Sequence, residues 1–309
     1  MSQEKVNTIT PCLWFDDRAE EAANFYTSLF EASAVNDTSY YGEAGYEVHR
    51  HEAGTVLTVD FELFGQPFMI LNGVPNFTFT PAISFFVNCQ TVEEVDELWA
   101  KFSEGGTPLM PLDSYPFSEK YGWIQDKYGL SWQLILREEE IDQKIVPSLM
   151  FVGEQAGRAE EAMNFYAEVF SDSKIGDIAR YGAGQEPNEE GTVMYADFTL
   201  MNQRFAAMDS AQGHAFTFNE AVSLVVNCQT QAEIDDYWEK LSAYPDAEQC
   251  GWLKDKFGVS WQIIPENIGK LFSDHHSERY GRVMNAMLKM KKMDIKALED
   301  AYRGKPVAK

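Results

Sequence analysis

Gly122-Trp-Ile-Gln-Asp-Lys-Tyr-Gly-Leu-Ser-Trp-Gln133 returns later in the chain as Gly251-Trp-Leu-Lys-Asp-Lys-Phe-Gly-Val-Ser-Trp-Gln262. In both copies an Asp-x-x-Gly turn separates two apolar runs, and Gly supplies the positive φ that a tight hairpin needs. Outward from this pair the similarity continues. Arg18-Ala-Glu-Glu-Ala-Ala-Asn-Phe-Tyr26 matches Arg158-Ala-Glu-Glu-Ala-Met-Asn-Phe-Tyr166, and Val87-Asn-Cys-Gln-Thr91 matches Val226-Asn-Cys-Gln-Thr230. The order is kept, so the chain is an internal duplication. Domains are expected at 8–136 and 144–265, joined by the charged connector 137–144. The second copy has lost about ten residues where 105–120 stand in the first.

Within a copy, strand and helix signals alternate. Residues 9–15 read as a strand, and Asp17 with Glu20 predict an N-cap and its N3 partner. The helix that follows shows one apolar face, Ala19, Ala22, Ala23, Tyr26, Leu29 and Phe30. Strands are expected at 55–63 and 66–72, joined at Phe64-Gly65, and at 82–88. Thr91 and Glu94 predict the cap of a second helix carrying Val95, Leu98, Trp99 and Phe102. A hairpin of 123–125 and 130–136 closes the copy. The pattern is α+β, each domain being two βαβββ modules.

Composition narrows the function. The 309 residues include 25 Lys+Arg against 49 Asp+Glu, a net charge of −24. Phosphate contacts need clustered cations, so nucleic acid is not an expected partner, and neither is an anionic membrane surface. A hydrophobic share of 45% with 14% aromatics supports packed cores. No apolar run reaches the length of a membrane span. The start, Met-Ser-Gln-Glu-Lys-Val, lacks a signal-peptide pattern, and Cys12, Cys89, Cys228 and Cys250 form no CxxC pair, so a cytoplasmic location is expected. P-loop, strand-GxGxxG and GxSxG motifs are absent.

Residues 273–303 predict a helical tail of opposite charge. From position 273 onward there are nine Lys+Arg and five Asp+Glu. Met284, Met287, Leu288, Ile295 and Leu298 form a stripe, with Asp294 as a cap or break between two short helices. Such a tail is expected to dock on the chain's own acidic body or on a second copy in a homodimer.

The helix motif at 18–26, the stretches 65–73 and 82–91, and the Asp-x-x-Gly hairpin, each with its second copy, resemble the vicinal oxygen chelate superfamily. Glyoxalases, bleomycin-resistance proteins and extradiol dioxygenases belong to it. More closely the chain resembles the PhnB-like branch, labelled 3-demethylubiquinone-9 3-methyltransferase. The resemblance implies tandem glyoxalase/bleomycin-resistance-like domains with a C-terminal helical tail and a cleft inside a curved sheet. In metal-dependent members, ligands stand on set strands of that sheet. Their positions correspond here to Thr10 and Val146, to Ala82 and Ala221, to segments 68–72 and 205–209 where only Asp209 is acidic, and to Gln133 and Gln262. Hence no metal ligand and no cofactor is expected.

Strand alternation sends Trp132 and Gln133 to opposite faces, and likewise Trp261 and Gln262. The cleft is thus expected to be lined by Trp123, Ser131 and Gln133 in one copy and by Trp252, Ser260 and Gln262 in the other, holding a small apolar or aromatic ligand. Catalytic residues are not assigned. A metal-dependent glyoxalase- or dioxygenase-like lyase, or a methyltransferase matching the family label, stays open as the alternative. His49-x-His51 has strand spacing and reads as a solvated edge or a surface metal pair. Glu20-Glu21 and Glu160-Glu161 read as helix-surface carboxylates.

Overall fold

The computed structural model describes residues 9–138 and 142–305. The first repeat forms β1 (Ile9–Phe15), α1 (Ala19–Leu29), β2 (Ala34–Tyr40), α2 (Tyr46–His49), β3 (Val56–Leu63) and β4 (Gln66–Asn72). It continues with β5 (Ile83–Cys89), α3 (Val92–Ser103), β6 (Thr107–Tyr115), β7 (Ser118–Gln125) and β8 (Ser131–Leu136). The second repeat forms β9 (Ile145–Val152), α4 (Ala159–Val169), β10 (Lys174–Arg180), β11 (Val193–Leu200) and β12 (Gln203–Ser210). Then come β13 (Val222–Cys228), α5 (Gln231–Leu241), β14 (Trp252–Lys254) and β15 (Ser260–Pro265), and the tail helices α6 (Ile268–Leu271), α7 (Glu278–Met287) and α8 (Ile295–Tyr302).

Two compact units result, one of residues 1–77 with 220–309 and one of residues 78–219. Each joins a module from one repeat to a module from the other. Unit 1 has a seven-stranded sheet, β14-β15-β13-β1-β4-β3-β2, and unit 2 an eight-stranded one, β10-β11-β12-β9-β5-β8-β7-β6. The modules meet through antiparallel pairs with matching register, Cys12 opposite Ser223 in unit 1 and Ser148 opposite Ser84 in unit 2. Repeats and compact units are therefore cut differently along the chain.

Local chemistry explains the joints. Thr91 caps α3 by accepting from the Glu94 N–H at 3.1 Å, and Thr230 with Glu233 makes a full capping box on α5. The first helix is capped otherwise than its sequence suggests. Asp17 sits at φ 88° and its side chain does not cap. Instead Asn72 Oδ1, at the end of β4, accepts from the Asp17 and Ala19 N–H groups at 3.1 and 3.0 Å. Asp209 does the same for Gly157 and Ala159 at 2.8 and 3.0 Å. A strand end thus satisfies the helix donors that a local cap would have taken.

The Asp-x-x-Gly turns are clamped by their aspartates. Asp255 Oδ1 accepts from Phe257 and Val259 N–H, while Oδ2 accepts from Trp261 Nε1 at 2.8 Å. Asp126 repeats this with Tyr128, Leu130 and Trp132. The hairpin's first strand in the first copy is longer than expected, starting at Ser118, and β6 adds a further strand from the segment that the second copy lacks.

In unit 1 the tail takes over that edge. Cys250 and Gly251 donate their N–H groups to the Met290 and Lys291 carbonyls at 2.9 and 2.8 Å. Tyr280, Val283, Met284 and Leu298 are buried. Asp294 caps α8 through the Ala297 N–H, and Lys291 and Lys292 pair with Glu248 and Asp235 of the acidic body. Among the described residues no helix is long and apolar enough to cross a membrane.

Candidate functional site

Alternation along β8 divides its side chains between two environments. Trp132 turns toward α3, with its ring centroid 5.0 Å from that of Phe102. Ser131, Gln133 and Ile135 turn to the other face. That face is the inside of a curl. Phe86 on β5 and Tyr195 on β11 stand three strands apart, a span of roughly 14 Å in a flat sheet. Their ring centroids are nevertheless only 5.8 Å apart.

Phe86, Tyr121, Ile135, Val146 and Ala206 form the buried floor of this inner face, and Met110, Tyr115, Trp123, Tyr195 and Met208 its half-buried rim. A short polar line crosses the floor. Tyr121 Oη donates to Gln133 Oε1 at 2.5 Å, and Gln133 Nε2 donates to Ser84 Oγ at 2.8 Å. Trp123 Nε1 donates to Ser131 Oγ at 2.7 Å. Ser148 stands beside Ser84 in register, is 1% exposed, and its Oγ has no hydrogen-bond partner. Burial pushes the Tyr121 phenol well above its ordinary range, with Tyr115 adding to the rise, so it stays a donor.

Unit 1 holds the corresponding face with different chemistry. Gln262 Nε2 donates to Ser223 Oγ at 3.0 Å, and the buried Ser260 Oγ lacks a partner. Trp252 does not reach Ser260 as Trp123 reaches Ser131. It packs edge-on against Trp14, with ring centroids 5.6 Å apart. Cys12 takes the place of Ser148, and Cys250 that of Tyr121. Burial pushes the Cys12 thiol up to about 12, opposed by hydrogen bonds from Gln262 and Ser223, so it is not a thiolate nucleophile. The six residues expected to line a cleft thus fall three in each unit. Their partners Ser84, Tyr121 and Ser223, and the unpartnered Ser148, were not singled out from the sequence as site residues, although strand alternation and the repeat would have found Ser84 and Ser223.

Asp60 on β3 also faces inward, opposite Asp37 on β2. Burial, then repulsion from Asp37, push its carboxyl from 3.8 up to about 6. Between those values the folded chain holds a proton that the unfolded chain has released. Stability from this group therefore falls as pH rises through that window. Asp60→Asn, which mimics the protonated form, is expected to raise the melting temperature relative to the parent at pH 7 and to differ little near pH 4. Melts at both pH values check this, and an equal difference at both would show that Asp60 ionises normally.

The two histidines at 49 and 51 do not share a strand. His49 ends a helical turn, its Nδ1 accepts from the His51 N–H, and its Nε2 lies 3.1 Å from the Ala44 carbonyl. Both rings pack on Tyr41, whose Oη donates to the Asn72 carbonyl. With both His49 nitrogens engaged, the pair is packing rather than a metal clip.

The family described as 3-demethylubiquinone-9 3-methyltransferase matches residues 7–135 and again 143–264. The chain belongs to that family, in two copies. A PhnB protein from Bacillus cereus is 50% identical over 42% of this chain and 99% of its own, with a TM-score of 0.39. A Staphylococcus aureus protein is 32% identical over 43% of this chain and 97% of its own, with a TM-score of 0.17. A mutant of glyoxalase I from Zea mays covers 85% of this chain and 94% of its own at 10% identity and a TM-score of 0.50, a likeness of fold alone. None of the curated proteins matches.

A tandem PhnB-like chain raises the question of the superfamily's metal. Among the described residues no three His, Cys, Asp or Glu side chains gather. Facing inward at the relevant strands are the Ser84 and Ser148 hydroxyls with the Gln133 amide, and in the other unit Cys12, Ser223 and Gln262. Hydroxyls and single amides do not fit a hard divalent ion. Asp209, the one acid at a corresponding position, spends Oδ1 on α4 and Oδ2 on the Val193 N–H. The cofactor implied by the methyltransferase label fits no better at the first turn. The N–H groups that begin α1 and α4 are already taken by Asn72 and Asp209.

Proposed function

We propose that the chain binds a small apolar or aromatic molecule on the inner face of the unit 2 sheet, with Trp123, Ser131 and Gln133 in its wall. The observation that carries this is Ser148. A buried hydroxyl left without a partner costs about 1–3 kcal/mol, and a ligand atom that bonds it recovers the loss. Aromatic and methionine side chains around it supply adaptable apolar contact. The Tyr121–Gln133–Ser84 line holds the neighbouring polar groups in fixed directions, as a site that orients its ligand requires. Trp252, Ser260 and Gln262 offer unit 1 a second, inequivalent face.

Native mass spectrometry of the full chain purified from its own host is expected to show a bound molecule, and a thermal-shift panel of small aromatic acids, alcohols and amides to give stabilising members. Ser148→Val with Gln133→Leu should abolish both signals. No bound mass and no stabilising compound would defeat the reading.

A further inference from the structure

We propose that the unit 2 face takes a planar aromatic anion, its charged end seated on Arg137 beside Tyr195. This rests on the binding reading above and names the chemical class of the ligand.

Arg137 follows β8 in the same alternation as Gln133 and Ile135, so its side chain leaves on the inner face. Its Nε donates to Asn88 Oδ1 at 3.4 Å, a long contact with a neutral amide. Its positive charge also lies near the Tyr195 hydroxyl. Burial raises the phenol's pKa and Arg137 opposes that rise. Tyr195 in turn packs edge-on against Phe86 of the floor. Arg204 adds a second positive charge near Tyr195, and the nearby Asp197 a negative one. Asp197 lies one strand further out from Arg204, with a carboxylate oxygen against Gly176 of β10. Among the described residues Arg137 forms no ion pair.

In a chain of net charge −24, a half-buried arginine with no ion pair among the described residues stands out. Its planar fork matches a carboxylate in geometry and charge. The aromatic rim fits a ring attached to that carboxylate.

The duplication supplies an internal comparison. Glu266 stands where Arg137 stands, each donating its N–H to the last cysteine of the neighbouring strand, Cys228 or Cys89. Thr58 replaces Tyr195 and Pro67 replaces Arg204. Unit 1 therefore lacks the cations and is expected to reject the same ligand.

Binding of 2-naphthoate and of the uncharged 2-naphthamide to the full chain, followed by calorimetry, tests the proposal. The acid is expected to bind about tenfold or more tightly than the amide, at one site per chain. Arg137→Gln should remove that preference while leaving amide binding in place, and Arg137→Lys should keep part of it. Equal binding of acid and amide would overturn the anion assignment and leave the binding face standing. Binding of neither would overturn both.

Discussion

A chain ended at Phe272 is expected to lose the native sheet of unit 1 while unit 2 stays folded. The tail is the missing edge of the second repeat. In unit 2, β6 pairs along β7 and shields it. In unit 1 the counterpart of β7 is the three-residue β14, which is itself the sheet edge, and the N–H groups of Cys250 and Gly251 are satisfied by carbonyls from the tail. Four large side chains, Tyr280, Val283, Met284 and Leu298, are 3% exposed or less. At about 1.5–3 kcal/mol each they contribute roughly 6–12 kcal/mol, comparable to the whole stability of an ordinary domain. Packing on the far side is equally close. A Cβ added at Gly42 would stand 2.6 Å from the Tyr280 ring, and Gly42→Ala should weaken the docking by itself. Hydrogen exchange read by mass spectrometry distinguishes the outcomes. Peptides from β1, β13 and β15 should lose protection, and those from β5, β8 and β9 should keep it. Retained protection in unit 1 would make the tail an accessory. A tail acting only on an outside partner would also leave both units folded after its removal.

Much of this arrangement was legible in the sequence, and the reasons for what was not are local. The duplication and the hairpin motif were visible because they repeat residue for residue. Capping by Thr91 was visible because the motif is contiguous. Capping by Asn72 was not, because the acceptor lies more than fifty residues from the helix it serves. Ser131 with Gln133, and Ser260 with Gln262, lie two apart on one strand, so alternation puts each pair on one face, and the hairpin sets Trp123 opposite Gln133 and Trp252 opposite Gln262. Ser148 and Tyr195 escape such reasoning. They stand on the same sheet as Gln133 only because modules from different repeats join through β5 and β9, and the order of strands across a sheet is not written in any one strand. β6 was missed for another reason: Thr107-Pro-Leu-Met-Pro-Leu-Asp-Ser-Tyr115 carries two prolines, which an edge strand tolerates but a strand reading penalises.

Asp255→Asn is expected to cost unit 1 about 2–6 kcal/mol, although it only exchanges one oxygen for an NH₂ group. The carboxylate is 0% exposed and accepts from the Phe257 and Val259 backbone N–H groups and from the Trp261 indole. An amide has one acceptor oxygen. If that oxygen keeps the two backbone donors, the new NH₂ faces the indole N–H, donor against donor. If the amide turns over, both turn N–H groups lose their partner. Either way buried donors go unsatisfied, at about 1–3 kcal/mol each. Trp261→Phe removes the indole donor, so adding Asp255→Asn to that background should cost about 1–2 kcal/mol less than in the parent. Chemical unfolding of the four chains measures this coupling, and strict additivity would refute the clamp. Asp126 with Trp132 should behave alike in unit 2, with a consequence for binding. Trp132 and Gln133 are neighbours on one strand, so releasing the indole from Asp126 loosens the direction in which Gln133 points. Asp126→Asn should therefore weaken a ligand on the inner face even in the fraction of chains that stays folded. These two aspartates are carboxylates whose work is to hold a strand, and through it the site, in register.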